Sequence, residues 1–343
     1  MKRLGLLLLP LCACEGLTTP PAPALSVLKR MPEGCFAVAT PESPPADALQ
    51  LFGTCTYQAD PTLMANVDEA VVVVDYGPDV EFDTTADVPP PTLTVTIDGA
   101  PADVPIRIGT VQRVGSRAYF EATLRAPAQL TNDLRIRAQV NAGFATELAQ
   151  PFAVVAPPVG LSLFECPDAA SCELTAAVGE AHLVVSIPGD QPQQVTVRQS
   201  LGGVDDPHVI DATITPPSST VALPVPTAPD GTTWTISASL LGGTPPSVTA
   251  ILRAPLITTQ LSCAPSCALT TGQQVGLHIF APAGIHATQA FVTTRLNGVP
   301  QLVGEPVALD PGLVALTVPG RGTWTIDVSV AGYSAPTIVQ NIP

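Results

Sequence analysis

The sequence predicts an all-β chain, a series of antiparallel β-sandwich domains behind an export signal. Three observations carry this. Thr, Val, Ala and Pro dominate the 343 residues, with 46% apolar and 13% charged, which suits half-buried strands and excludes a highly charged disordered chain. Apolar and polar residues alternate, as in Trp324-Thr325-Ile326-Asp327-Val328-Ser329-Val330, the period of a strand with one buried and one wet face. The pattern also recurs: the turn dipeptides Asp98-Gly99, Gly202-Gly203 and Asn297-Gly298 begin 104 and 95 residues apart.

The chain opens with Lys2 and Arg3, an apolar core from Leu4 to Leu11, and then Leu11-Cys12-Ala13-Cys14. This run is shorter than the roughly 20 apolar residues of a membrane-spanning helix. It reads as a removable signal over residues 1–13. A cut after Cys12 would place that cysteine, not a small apolar residue, before the scissile bond, so Cys14 is the favoured new terminus. The last four residues resemble the lipobox of bacterial lipoproteins. That resemblance implies a diacylglycerol on the Cys14 thiol. Two or more acyl chains hold a protein stably where one does not, each buried CH₂ contributing about 0.8 kcal/mol. Glu15 stands where Gram-negative lipoproteins retained in the inner membrane usually carry Asp, which points to the outer membrane. The expectation is an exported chain, lipid-anchored in the cell envelope on the periplasmic side or at the cell surface.

Removal of residues 1–13 would leave 330 residues with 12 basic and 29 acidic side chains, a formal charge of −17, and Lys29 as the only lysine. Such a chain repels nucleic acid and anionic head groups, so no nucleic-acid partner is expected.

Residues 14–27 read as a Pro-rich tether, stiffened by Thr18-Thr19-Pro20-Pro21-Ala22-Pro23. Domain 1 is expected over 28–156, with an N-terminal insertion between Cys35 and Cys55, where Pro44-Pro45 opens a short helical pattern. Its strands include Leu93-Thr94-Val95-Thr96-Ile97, which leads into Asp98-Gly99, and Leu134-Arg135-Ile136-Arg137-Ala138-Gln139-Val140. Domains 2 (157–255) and 3 (256–343) align along most of their length. Ser171-Cys172-Glu173-Leu174-Thr175 matches Ser266-Cys267-Ala268-Leu269-Thr270, and Trp234-Thr235-Ile236-Ser237-Ala238-Ser239-Leu240 matches the run from Trp324. Ala156-Pro157-Pro158 and Ala254-Pro255 are the linkers. All three turn dipeptides suit the positive φ angles of a type I′ hairpin. Trp234 shares its parity with Ile236, Ala238 and Leu240, which places it in a core rather than on a sugar-stacking platform.

From about residue 62 onward this strand plan resembles a tandem array of bacterial immunoglobulin-like or fibronectin type III-like domains. The resemblance lies in the strand plan alone, because both cysteines of a pair sit near the start of each repeat. It implies tandem immunoglobulin-like sandwiches, each with its own core.

Apart from Cys14, six cysteines remain after cleavage. They allow 15 connectivities, but fall as three separated pairs: Cys35 with Cys55, Cys166 with Cys172, and Cys263 with Cys267. A zinc site would want further Cys or His nearby, and His182, His208, His278 and His286 lie outside such spacing, so bridges are expected. A turn at Ala264-Pro265-Ser266 is needed to bring the last pair within bonding range.

Asp68, Glu69, Asp75, Asp79, Glu81, Asp83 and Asp87 form a carboxylate run without Lys or Arg. Without the Asp-x-Asp-x-Asp-Gly spacing of a calcium loop it reads as a solvated face. Asp205, Asp206, His208 and Asp211 follow the Gly202-Gly203 turn and read the same way. No Gly-x-Ser-x-Gly, His-Glu-x-x-His or phosphate-binding loop occurs. His278 sits in an apolar strand, where a structural role is expected. Together these readings expect no metal, no cofactor and no enzymatic activity. The role expected is adhesion, spacing or binding of other envelope or surface proteins. The alternatives are an accessory subunit of a secretion or assembly complex, and an envelope hydrolase with an unrecognised site.

Overall fold

Alternation says which residues face a core, but not which strands are neighbours. A computed structural model supplies the pairing for residues 24–30, 36–38, 62–76, 90–114, 117–140, 144–147, 151–166, 172–263 and 267–343, the residues described below. The signal, Cys14, Glu15, Cys35, Cys55 and the carboxylates from Asp79 to Asp87 lie outside them. The chain divides into two compact units, residues 1–155 and 156–343.

In the first unit the strands are β1 (Ala24–Arg30), β2 (Phe36–Val38), β3 (Thr62–Met64), β4 (Glu69–Asp75), β5 (Thr92–Ile97), β6 (Ala100–Pro101), β7 (Ile106–Val114), β8 (Arg117–Arg125), β9 (Thr131–Val140), β10 (Phe144–Glu147) and β11 (Phe152–Val155). One sheet runs β2-β1-β4-β8-β7. The other runs β3-β11-β9-β5-β6, with β10 also on β9. Val27, Val72, Leu124, Leu134, Ile136 and Phe152 fill the space between them. Leu134, at the position of Trp in the later repeats, is fully buried.

The start of this unit differs from the composition-based boundary. Residues 24–27 were expected in the tether, yet β1 begins at Ala24, and Leu25 and Val27 are buried. The tether's prolines remove backbone donors. Pro23 is the last of them, and the apolar run Leu25-Ser26-Val27-Leu28 enters the sheet directly after it. β1 and β4 are buried on both faces; β4 accordingly reads as a continuous apolar run instead of alternating, while β1 buries Ser26 and Lys29 among its apolar residues.

The second unit holds two further sandwiches. The first contains β12 (Gly160–Leu163), β13 (Glu173–Thr175), β14 (Glu180–Ser186), β15 (Gln193–Leu201), β16 (Val204–Ile214), β17 (Ser218–Pro224), β18 (Thr232–Leu240) and β19 (Ser247–Arg253). Its sheets run β12-β14-β17 and β13-β19-β18-β15-β16. The next contains β20 (Thr258–Leu261), β21 (Gln274–Phe280), β22 (Gln289–Leu296), β23 (Val299–Ala308), β24 (Leu313–Thr317), β25 (Gly322–Val330), β26 (Tyr333–Ser334) and β27 (Ile338–Ile342). Here the sheets run β20-β21-β24 and β23-β22-β25, with β26 and β27 sharing the far side of β25. This plan, a three-stranded sheet against a larger one that carries the last strand, is that of an immunoglobulin or fibronectin type III sandwich.

The repeated turns have the geometry their residues favour. Asp98-Gly99, Gly202-Gly203 and Asn297-Gly298 all have positive φ at both positions. Trp234 and Trp324 are buried at the centres of their cores.

Candidate functional site

The tryptophans are packing residues. Trp234 donates from Nε1 to Gln199 Oε1 at 3.0 Å, whereas Trp324 Nε1 is buried with no acceptor among the described residues. Leu201 faces Trp234, and Leu296 faces Trp324, across the equivalent strand pair. Counting back along those strands, Thr294 stands where Gln199 stands, and its side chain is too short to serve the indole.

Cys166 and Cys172 are bonded, with Cα atoms 5.3 Å apart, as are Cys263 and Cys267 at 5.0 Å. Beside the first bridge, Phe164 packs edge-on against His182, with ring centroids 6.5 Å apart. The His182 ring donates from Nδ1 to Glu165 Oε1 at 2.6 Å, and the His182 backbone N–H donates to the same carboxylate. Burial raises the Glu165 carboxyl, but these bonds outweigh it and hold it below the ordinary value. The pair ties the Cys166 turn to β14.

The acidic run differs from the expected solvated face. Asp68 and Asp75 are buried. Asp68 Oδ2 lies 2.9 Å from Lys29 Nζ and accepts the Met64 N–H at 2.7 Å, while Lys29 also donates to the Thr62 carbonyl. A carboxylate enters an apolar sandwich only when its charge is balanced and its oxygens are bonded, and Lys29 supplies the charge. Among the described residues no group of three or more His, Cys, Asp or Glu side chains is placed to hold a metal. Asp206 accepts from the backbone and ring of His208, and Asp211 accepts from Thr196. His278 stacks on Phe280, with centroids 6.2 Å apart.

A set of specific contacts joins the two sandwiches of the second unit. Val178 and Ile285 form an isolated antiparallel bridge. Around it, Gly179 N–H donates to the Gly284 carbonyl at 2.9 Å and His286 N–H to the Ala177 carbonyl at 2.6 Å. The positive φ angles of Ala177, Gly179 and Gly284 turn these loops toward each other. The His286 ring lies 2.8 Å through Nε2 from the Gly179 carbonyl, so Nε2 carries a proton and donates it. From β26, Tyr333 reaches the preceding sandwich: its hydroxyl donates to the Ala228 carbonyl and accepts the Ala228 N–H. Its ring packs against both cores.

Sequence reasoning named His286 only as a histidine outside metal-ligand spacing and singled out no other junction residue. The signal lay where the repeats differ. Leu240-Leu241-Gly242-Gly243 aligns with Val330-Ala331-Gly332-Tyr333. A Cβ on Gly243 would come within 2.5 Å of the Ala156 Cβ, so small size is required there, whereas Tyr333 is the large residue that spans the junction.

No family model and no curated protein matches this chain. Among solved structures, a three-domain segment of titin is similar over 82% of this chain and 94% of its own length, at 13% identity and a TM-score of 0.30. The three-domain ectodomain of mouse nectin-like molecule 4 covers 82% and 95%, at 13% identity and 0.27. A two-domain fibronectin type III segment of chicken tenascin covers 54% and 97%, at 13% identity and 0.27. Scores this low carry neither family nor function, and the sandwich class rests on strand order.

Proposed function

We propose that this chain is a lipid-anchored, non-catalytic protein of the cell envelope, which holds a binding surface away from the membrane and engages other envelope or surface proteins. One observation supports the spacing role above the rest: the junction between the two sandwiches of residues 156–343. A flexible string needs only a linker. Here a β-bridge made by two main-chain hydrogen bonds, an imidazole and a twice-bonded phenol hold the neighbours in one orientation. An orientation held by that many directional bonds suits a stiff spacer. The anchor is read from the lipobox-like Leu11-Cys12-Ala13-Cys14, and the outer membrane from Glu15.

The anchor has a direct test. In cells fed a radioactive fatty acid, the wild-type chain should be labelled and fractionate with the outer membrane. The Cys14→Ala variant should stay uncleaved and unlabelled. Equal labelling of the variant would sink the lipoprotein reading.

A further inference from the structure

The first sandwich buries a lysine against a carboxylate, in a chain that otherwise avoids lysine. Lys2 and Lys29 are the only lysines among the 14 basic residues, and all the others are arginines. Lys29 lies on β1 with the parity of Leu25 and Val27, so it points into the space between the sheets. Its side chain is 9% exposed, and that of Asp68, whose Oδ2 is 2.9 Å from Nζ, is 7% exposed. Arginine is the better residue for a buried ion pair, because its planar fork matches a carboxylate and its charge is permanent. Lysine offers something that arginine lacks: it can give up protons and attack as an amine.

Both partners are tied on their other sides. Nζ of Lys29 also donates to the Thr62 carbonyl at 2.8 Å. The Asp68 backbone N–H donates to the Met64 carbonyl at 3.0 Å, and the Asp68 carbonyl accepts the Ala126 N–H at 2.9 Å. Oδ2 of Asp68 accepts the Met64 N–H at 2.7 Å. Nζ therefore stands beside the carbon that bears Oδ2, and two reactants fixed in this way need no encounter step. The Met64 N–H is aimed at the oxygen that would carry negative charge as the amine adds, which is the arrangement of an oxyanion donor. The exclusion of water from the site opposes the reverse reaction, because hydrolysis of an amide consumes water.

We propose that Lys29 and Asp68 condense into an amide, a cross-link that the first sandwich makes within itself. The new bond joins Nζ of Lys29 to Cγ of Asp68. Oδ1 leaves, and the two protons that Nζ gives up depart with it as water. The ammonium and carboxylate of the ion pair thus supply every atom, and no co-reactant is needed. The product ties β1, the strand that follows the tether, to the turn that opens β4. A pull on the tether enters the sandwich through β1, and the cross-link opposes the stripping of β1 from β4. That load follows from the anchored reading above. The bond itself does not, and its test leaves Cys14 untouched, so the two readings fail separately.

The scarcity of lysine makes the test simple. A lysine-specific endoprotease needs a free side-chain amine, so this chain offers it Lys2 and Lys29 alone. The full chain, purified from cells, is reduced, alkylated, denatured and digested. The wild type should stay uncut at Lys29. Trypsin should then release one branched peptide that joins the Lys29 and Asp68 segments and is lighter than their sum by one water. Asp68→Ala should be cut fully at Lys29, whether or not that variant folds, because the digestion acts on denatured chain. Three results overturn the proposal: cutting of the wild type at Lys29, separate Lys29 and Asp68 segments in its tryptic map, or an Asp68→Ala chain that resists cutting equally.

Discussion

At the scale of single residues, the charges that matter are those removed from water. Lys29 and Asp68 compensate one another inside the first sandwich, and losing either partner would strand the other. The Glu165–His182 clamp is the pair whose effect on stability follows pH. Its carboxyl lies below the ordinary 4.5 in the folded chain, since the His182 bonds outweigh the burial that raises it. A depressed folded value gives stabilisation that is fully present above the unfolded value and lost as pH falls through the folded one. Glu165→Gln should therefore melt below the wild type near neutral pH, and the gap should close as the pH falls through the lowered value of the Glu165 carboxyl. A gap that stays constant across that titration would mean that the carboxylate charge contributes nothing.

At the scale of elements, one short strand shows how a substitution between repeats changes a sheet edge. β13 lies parallel to β19, with Glu173 opposite Ile251. Arg253 donates from Nη2 to Glu173 Oε1 at 2.6 Å, and Ile251 N–H donates to the Cys172 carbonyl at 2.8 Å. The first sandwich covers its last strand in the same way, with β3 parallel to β11. In the third, Ala268 replaces Glu173, residues 267–270 form no strand, and β27 is left at the edge. Both side chains of the Glu173–Arg253 pair are half exposed, which keeps its contribution small. Glu173→Ala should lower the hydrogen-exchange protection of the Ile251 amide about two- to fivefold, with little effect on the global melt. Unchanged protection would assign β13 to the disulfide alone.

At the scale of the whole molecule, the second unit combines two separate cores with one shared junction. Each core has its own tryptophan and disulfide. Tyr333 belongs to both, so orientation and folding are separable properties. Tyr333→Phe combined with His286→Ala removes the phenol and imidazole bonds but leaves both cores intact. The double variant should melt near the wild type, while spin labels on the two sandwiches report a broadened distance distribution. An unchanged distribution would show that the backbone bridge alone fixes the pair, and a collapsed melt would show that the cores depend on each other.

The local pattern of the chain was sufficient for features that depend on a residue's own backbone or parity. The I′ turns follow from Gly, Asn and Asp at positions of positive φ, and the burial of Trp234, Trp324 and Leu134 follows from period-2 alternation. The sandwich class follows from the length of the repeat. Tertiary structure alone decided what depends on partners distant in sequence. β1 begins in the last residues of the expected tether because β4, more than forty residues on, pairs with it. Asp68 is buried because Lys29 lies beside it, and a run of carboxylates carries no sign of which member has a cation in reach. The junction at His286 and Tyr333 arises the same way. Alternation encodes which face a side chain takes, but the identity of its neighbour is set by register and loop path, which no local window contains.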